Sequence, residues 1–171
     1  LKSATPTSVS KNGTTFTLGL DIQGTGTGKE VLAVVPKESS IYDNAGNVAL
    51  STQTTNTGKT KDLAGPIILS ITPKSDNTAL IVEFDEETFT EANSRAILDT
   101  SDITLSLDGG NAVLTDPKPT SFARDGASYT LGLALSGKVN GFENITVQVQ
   151  FNAIYDTLGN VASPIQAINS T

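Results

Sequence analysis

From residue 66 onward, apolar side chains recur at every other position in short runs, the period of a strand with one face buried. Ile67, Leu69 and Ile71 form the first set, ended by Pro73, and are expected to point inward. Leu80, Val82 and Phe84 alternate with Ile81, Glu83 and Asp85, and Ile103, Leu105 and Leu107 alternate with Thr104 and Ser106. Tyr129, Leu131, Leu133 and Leu135 form a fourth set, Ile145, Val147, Val149 and Phe151 a fifth, and Val161 to Ile168 reads as a closing strand. Shorter pieces around Val113 and Phe122 are expected to pair at edges. Asp108-Gly109-Gly110-Asn111 and Asp125-Gly126 supply the positive φ angles of tight connections. One stretch departs from this pattern: Thr88 with Glu91 three residues later has the form of a capping box, which predicts a short helix over 88–98.

The same pattern occurs twice. Shifting the chain by 113 positions lays residues 1–58 over 114–171 without a gap, with about 22 of the 58 pairs identical. "PTSVSKNGTTFTLGL" faces "PTSFARDGASYTLGL", and "IYDNAGNVA" faces "IYDTLGNVA". The unit is therefore about 113 residues long. Residues 59–171 make a complete copy, residues 1–58 match only its back half, and Gly65-Pro66 punctuates the polar stretch between them. About seven short strands separated by turns describe an antiparallel β-sandwich.

The turn written twice reads Asp-x-x-Gly-Asn, at Asp43, Gly46 and Asn47 and again at Asp156, Gly159 and Asn160. The aspartate is expected to cap its own loop and the glycine to take a positive φ. With the opening "DLAGP" at 62–66 and the strand "ALIVEFDE" at 79–86, these residues resemble a bacterial immunoglobulin-like repeat of the Big type. Such repeats are strung along adhesins, surface-layer proteins and other exported bacterial proteins. The resemblance covers 62–171 and, through the repeat, 1–58. It implies an all-β, immunoglobulin-like sandwich, an extracellular or cell-surface location, and a role as rigid spacer or binding module.

Composition narrows the chemistry. Ser and Thr make up about a quarter of the chain, which suits extended backbone. The net charge of −7 and the scattered lysines give no basic stripe for a nucleic acid. No run of apolar residues is long enough for a membrane helix, so no membrane insertion is expected. Leu1-Lys2-Ser3 has no signal-peptide character, and any export signal is expected outside this chain. With no Cys and no His, disulfides, thiolate metal sites, Ser-His-Asp triads and histidine-bound zinc are excluded. "GTGTGKE" at 24–30 is followed by the strand-like "VLAVVP" where a phosphate loop needs a helix, and it reads as a hairpin loop.

The sequence offers three kinds of candidate site. Glu83 and Asp85 lie on one strand face at a spacing that paired glycosidase carboxylates use, but the opposite face is Leu80, Val82 and Phe84, so a solvated face is expected and no enzyme. Calcium suits oxygen ligands, and Asp43, Asp156 and Asp85 are its candidates; each turn offers a single carboxylate, and turn architecture accounts for them without a metal. Asn12, Asn144 and Asn169 each begin an N-x-Ser/Thr glycosylation pattern.

The half copy carries the functional expectation. Phe16, Leu18, Leu20, Ile22, Leu32 and Val34 cannot be buried without a front half, and unpaired strand edges are adhesive. Either neighbouring repeats in a tandem array complete them, or another molecule donates strands and builds a filament. Pro36 and Glu38 stand where the complete copy has Val149 and Phe151, which predicts a shortened or edge strand. A structural stalk or self-assembling fibre repeat is therefore expected. The alternative is a carbohydrate- or calcium-binding adhesion module.

Overall fold

The computed structural model describes residues 1–93 and 95–170, with the backbone alone for 167–170. It is all-β, with no helix among the described residues, and divides into two compact units, Leu1–Leu63 and Ala64–Thr171.

The larger unit is built from two sheets that share one core. The first is antiparallel and four-stranded. It contains β5 (Ile68–Pro73), β6 (Ala79–Phe84), β10 (Ser128–Gly132) and β9 (Phe122–Asp125), in that spatial order. The second holds β12 (Asn144–Val149) between β13 (Ala167–Ser170) and β7 (Ile103–Asp108). A two-stranded piece pairs β8 (Val113–Leu114) with β11 (Leu135–Ser136). Leu80, Val82, Phe84, Tyr129 and Leu131 of the first sheet pack with Ile103, Leu105, Ile145, Val147 and Val149 of the second. Phe84 meets Tyr129 edge-on at 5.9 Å between ring centres. Alternation along β6, β7, β10 and β12 places these residues on the inner faces, as a half-buried strand requires.

Four expectations change. Ile67 and Leu69 face outward, because Ile68 pairs with Phe84 and Ser70 with Glu83, leaving Leu69 as an extra residue in a β-bulge. The bulge lets Ile68 and Ile71, three apart, both enter the core. Phe151 is 75% exposed, since β12 ends at Val149 and the chain turns through Asn152 at φ 54°. Residues 88–98 form no helix at the described positions: Phe89 instead pairs with Tyr155, and Thr88 is buried with Oγ1 2.7 Å from the Tyr129 hydroxyl. The closing strand begins at Ala167 rather than Val161, which makes only an isolated pairing with Tyr155. Gln166 clasps the first strand of the unit, accepting from the Ile68 N–H at 2.7 Å and donating to the Pro66 carbonyl at 2.7 Å. A side chain at Gly65 would collide with the Val161 carbonyl, so the Gly-Pro step is also a close backbone approach.

The smaller unit has β1 (Ser8–Asn12) paired with β2 (Thr15–Gly19), and β3 (Val31–Ala33) paired with β4 (Thr57–Lys59). Every residue in it is half-buried or exposed. β3 stops three residues short of the length of β12, ahead of Pro36.

Candidate functional site

The two Asp-x-x-Gly-Asn turns are built by the same bonds. Asp156 Oδ1 accepts from the Leu158 and Asn160 amides, both at 2.8 Å, and Oδ2 accepts from Asn160 Nδ2 at 2.7 Å. Asp43 Oδ1 accepts from Ala45 at 2.9 Å and Asn47 at 2.8 Å, and Oδ2 from Asn47 Nδ2 at 2.8 Å. Gly46 and Gly159 both lie at φ 86°. The turn closes a small loop, with Tyr42 paired to Val48 and Tyr155 to Val161. The Asn47 side-chain and backbone donors hold the Asp43 carboxyl below its usual pKa. Both carboxylates thus accept bonds from their own turns, and the Asp156 carboxylate also lies within 4.8 Å of that of Glu86. Asp85 likewise accepts from the Ile67 amide at 2.9 Å. Glu83 accepts from the Ser70 hydroxyl at 3.3 Å.

Among the glycosylation candidates, Asn12 is exposed at the β1–β2 turn beside Gly13. Asn144 is half-buried in β12, paired with Asp108, and its Oδ1 is buried without a partner among the described residues. Asn169 pairs with Thr146 through the backbone, and its side chain lies outside the described residues.

The correspondence between the units extends well past the turn. Residues at φ of about +50 to +86° recur 113 positions apart: Gly13 and Gly126, Gly24 and Gly137, Gly28 and Gly141, Ser39 and Asn152, Gly46 and Gly159. β1–β2 has the register of β9–β10, with Val9 opposite Leu18 and Phe122 opposite Leu131. Gly19 and Gly132 both sit where a side chain would strike the Thr and Ser hydroxyls at the start of the preceding strand, Thr7 and Ser8 or Thr120 and Ser121.

A pair of glutamates absent from the sequence-based candidates emerges from this comparison. Glu143 folds back into its own loop, accepting from Asn140 at 3.1 Å and Gly141 at 2.9 Å, and also accepts from Asn111 at 2.9 Å and Ala112 at 3.1 Å in the front half. Partial burial pushes its pKa up, but the Ala112, Asn111 and Asn140 amides outweigh this and hold it down to about 2. Glu30, its counterpart, accepts from the Thr27 amide at 3.0 Å and from the Thr27 and Thr60 hydroxyls. The Thr60 and then the Thr27 hydroxyl hold it at about 2 as well. Glu30/Glu143 and Asp43/Asp156 are the only charged residues identical between the two copies.

The clearest difference between the units is a hollow. In the larger unit, Leu133, Leu135 and Ile145 line a cavity of about 150 Å³ whose other wall is Pro73, Leu80 and Leu107. In the smaller unit the counterparts Leu20, Ile22 and Leu32 line an open groove of about 510 Å³, flanked by Leu63 and Lys59–Lys61. No helix among the described residues is long and apolar enough to cross a membrane. No protein-family model, curated protein or solved structure matches the chain.

Proposed function

We propose that the chain is a structural repeat of an extracellular, bacterial-type surface protein: an immunoglobulin-like stalk or fibre element that acts by shape and by association with adjoining repeats. The observation that carries this reading is the recurrence, 113 residues apart, of the turn geometry, the hairpin register and the positive-φ positions in two units. A ligand site has no reason to repeat its backbone in a copy that lacks half its strands, whereas an array does. Bonds within their own turns account for Asp43 and Asp156 without a metal, which supports a spacer over a cation-dependent module.

The test is thermal unfolding of the chain with and without millimolar calcium and a panel of soluble glycans. A spacer keeps the same Tm throughout. A saturable rise with calcium or with one sugar would replace this reading by the adhesion module, since a ligand that binds only the native state stabilises it.

A further inference from the structure

We infer that the groove and open strand edges of residues 1–63 are a docking surface for a front-half segment of the same repeat type, one not contained in residues 1–171, and that Glu30 is the residue that receives its loop. The inference rests on the repeat reading above and names the partner which that reading leaves open.

The larger unit specifies what the partner must look like. One edge of β10 pairs with β6, Thr130 standing opposite Ile81, and the matching edge of β2 carries no strand among the described residues. β12 is flanked by β7, and the matching edge of β3 is open in the same sense. Phe16, Leu20 and Ile22 are exposed, where their counterparts Tyr129, Leu133 and Leu135 are buried or half-buried. The occupant therefore brings two strands for these edges, with Leu80- and Leu107-like residues to close the groove.

Glu30 adds a chemical requirement. Glu143 takes two amides from the Gly109-Gly110-Asn111-Ala112 loop, whose glycines lie at φ 75° and 61°. Side chains at Gly109 and Gly110 would collide with the Phe142 carbonyl and with Glu143 itself. A loop that reaches Glu30 in the same way needs the same two glycines. Phe16 adds a second preference: it replaces Tyr129, whose hydroxyl bonds Thr88, so the matching partner needs no hydroxyl at that position.

A second copy of this chain does not fit the requirement. Each copy holds two back halves and one front half, and that front half already buries Leu80 and Val82 in its own core. Lending it to a neighbour would expose the lender's Tyr129 and Leu131. Copies of 1–171 alone can never complete every back half, so the missing strands come from another front half.

The test joins a second copy of residues 64–113 ahead of Leu1 of the full chain and follows amide hydrogen exchange. The Thr15–Gly19 amides should slow by at least about 100-fold relative to 1–171. Glu30→Gln, or Ala-Ala in place of the added Gly-Gly, should remove much of that slowing while leaving the larger unit unchanged. If these amides exchange equally fast in both chains while the larger unit stays protected, the inference fails. It also fails if they are already protected in 1–171 in proportion to concentration, because a second copy is then the occupant.

A cross-link keeps the test decisive should the longer chain aggregate. A peptide of residues 64–113 carrying Ile81→Cys is added to the full chain carrying Thr17→Cys, in a protein with no other cysteine. A disulfide should form several-fold faster than with an Asn44→Cys control, and equal rates overturn the inference. Calcium or glycan binding would refute the spacer role without affecting either result.

Discussion

At the scale of single residues, identical backbone does not mean identical tolerance. Gly46 and Gly159 share φ 86°, but a side chain at Gly46 would meet nothing within 4 Å, while one at Gly159 would lie 2.8 Å from the Ala92 carbonyl. Gly159→Ala should therefore cost the larger unit about 2–3 kcal/mol in urea unfolding, from strain plus collision, and Gly46→Ala should leave that transition in place. Equal effects would mean that φ alone decides. Glu143 yields a pH prediction. Its folded pKa lies below the unfolded value, so the stability it contributes is complete above about pH 4.5 and is lost as pH falls toward about 2. Burial pushes Asp102 the other way, so its contribution is present at low pH and lost as pH rises through its raised pKa. Glu143→Gln should lower Tm at pH 6 and flatten the decline between pH 4.5 and 2. An unchanged acid slope would contradict the role given to its amide donors. Glu143 and Glu30 were legible in principle, as one of only two charged identities between the copies. The Asp-x-x-Gly-Asn turn is plain in the sequence because its residues are contiguous, whereas the Asn111, Ala112 and Thr60 partners of the glutamates are distant.

At the scale of elements, alternation located β6, β7, β10 and β12 because one face of each is uniformly apolar. It misplaced β5 because "IILSI" is apolar on both faces, so the bulge at Leu69 leaves no trace in the local pattern. The stretch from Thr88 failed for a different reason. Thr-x-x-Glu is the same string whether it caps a helix or not, and here pairing of Phe89 with Tyr155 and burial of Thr88 against Tyr129 override the local preference. This anchor can be tested by a double-mutant cycle. Tyr129→Phe should cost about 1–2 kcal/mol alone and much less in a Thr88→Val background, because the second change removes the partner left unsatisfied. Additive effects would show that the Thr88–Tyr129 hydroxyl contact does not help to hold the loop. The end of β12 was misread at Phe151, whose apolar character continues a pattern that the turn at Asn152 has already broken.

At the scale of the whole molecule, the 113-residue repeat was the most legible feature, since it needs no structural assumption. The two units give the same kind of substitution different consequences. Leu80→Ala or Val147→Ala, at positions with no exposure, should each destabilise the larger unit by about 2–4 kcal/mol. Leu20→Ala should change the chain's unfolding free energy by less than about 0.5 kcal/mol, because that side chain is already 45% exposed in an open groove. The function was less legible than the architecture, because the proposed spacer role calls for no chemistry beyond that of folding itself. The measurement that bears most directly on the account is residue-resolved hydrogen exchange of 1–171 at low concentration, comparing Thr15–Gly19 with Ser128–Gly132. The account predicts exchange at close to the unprotected rate in the first strand and protection near the global stability in the second. Equal, high protection of both would mean that residues 1–63 are a finished fold without a missing partner.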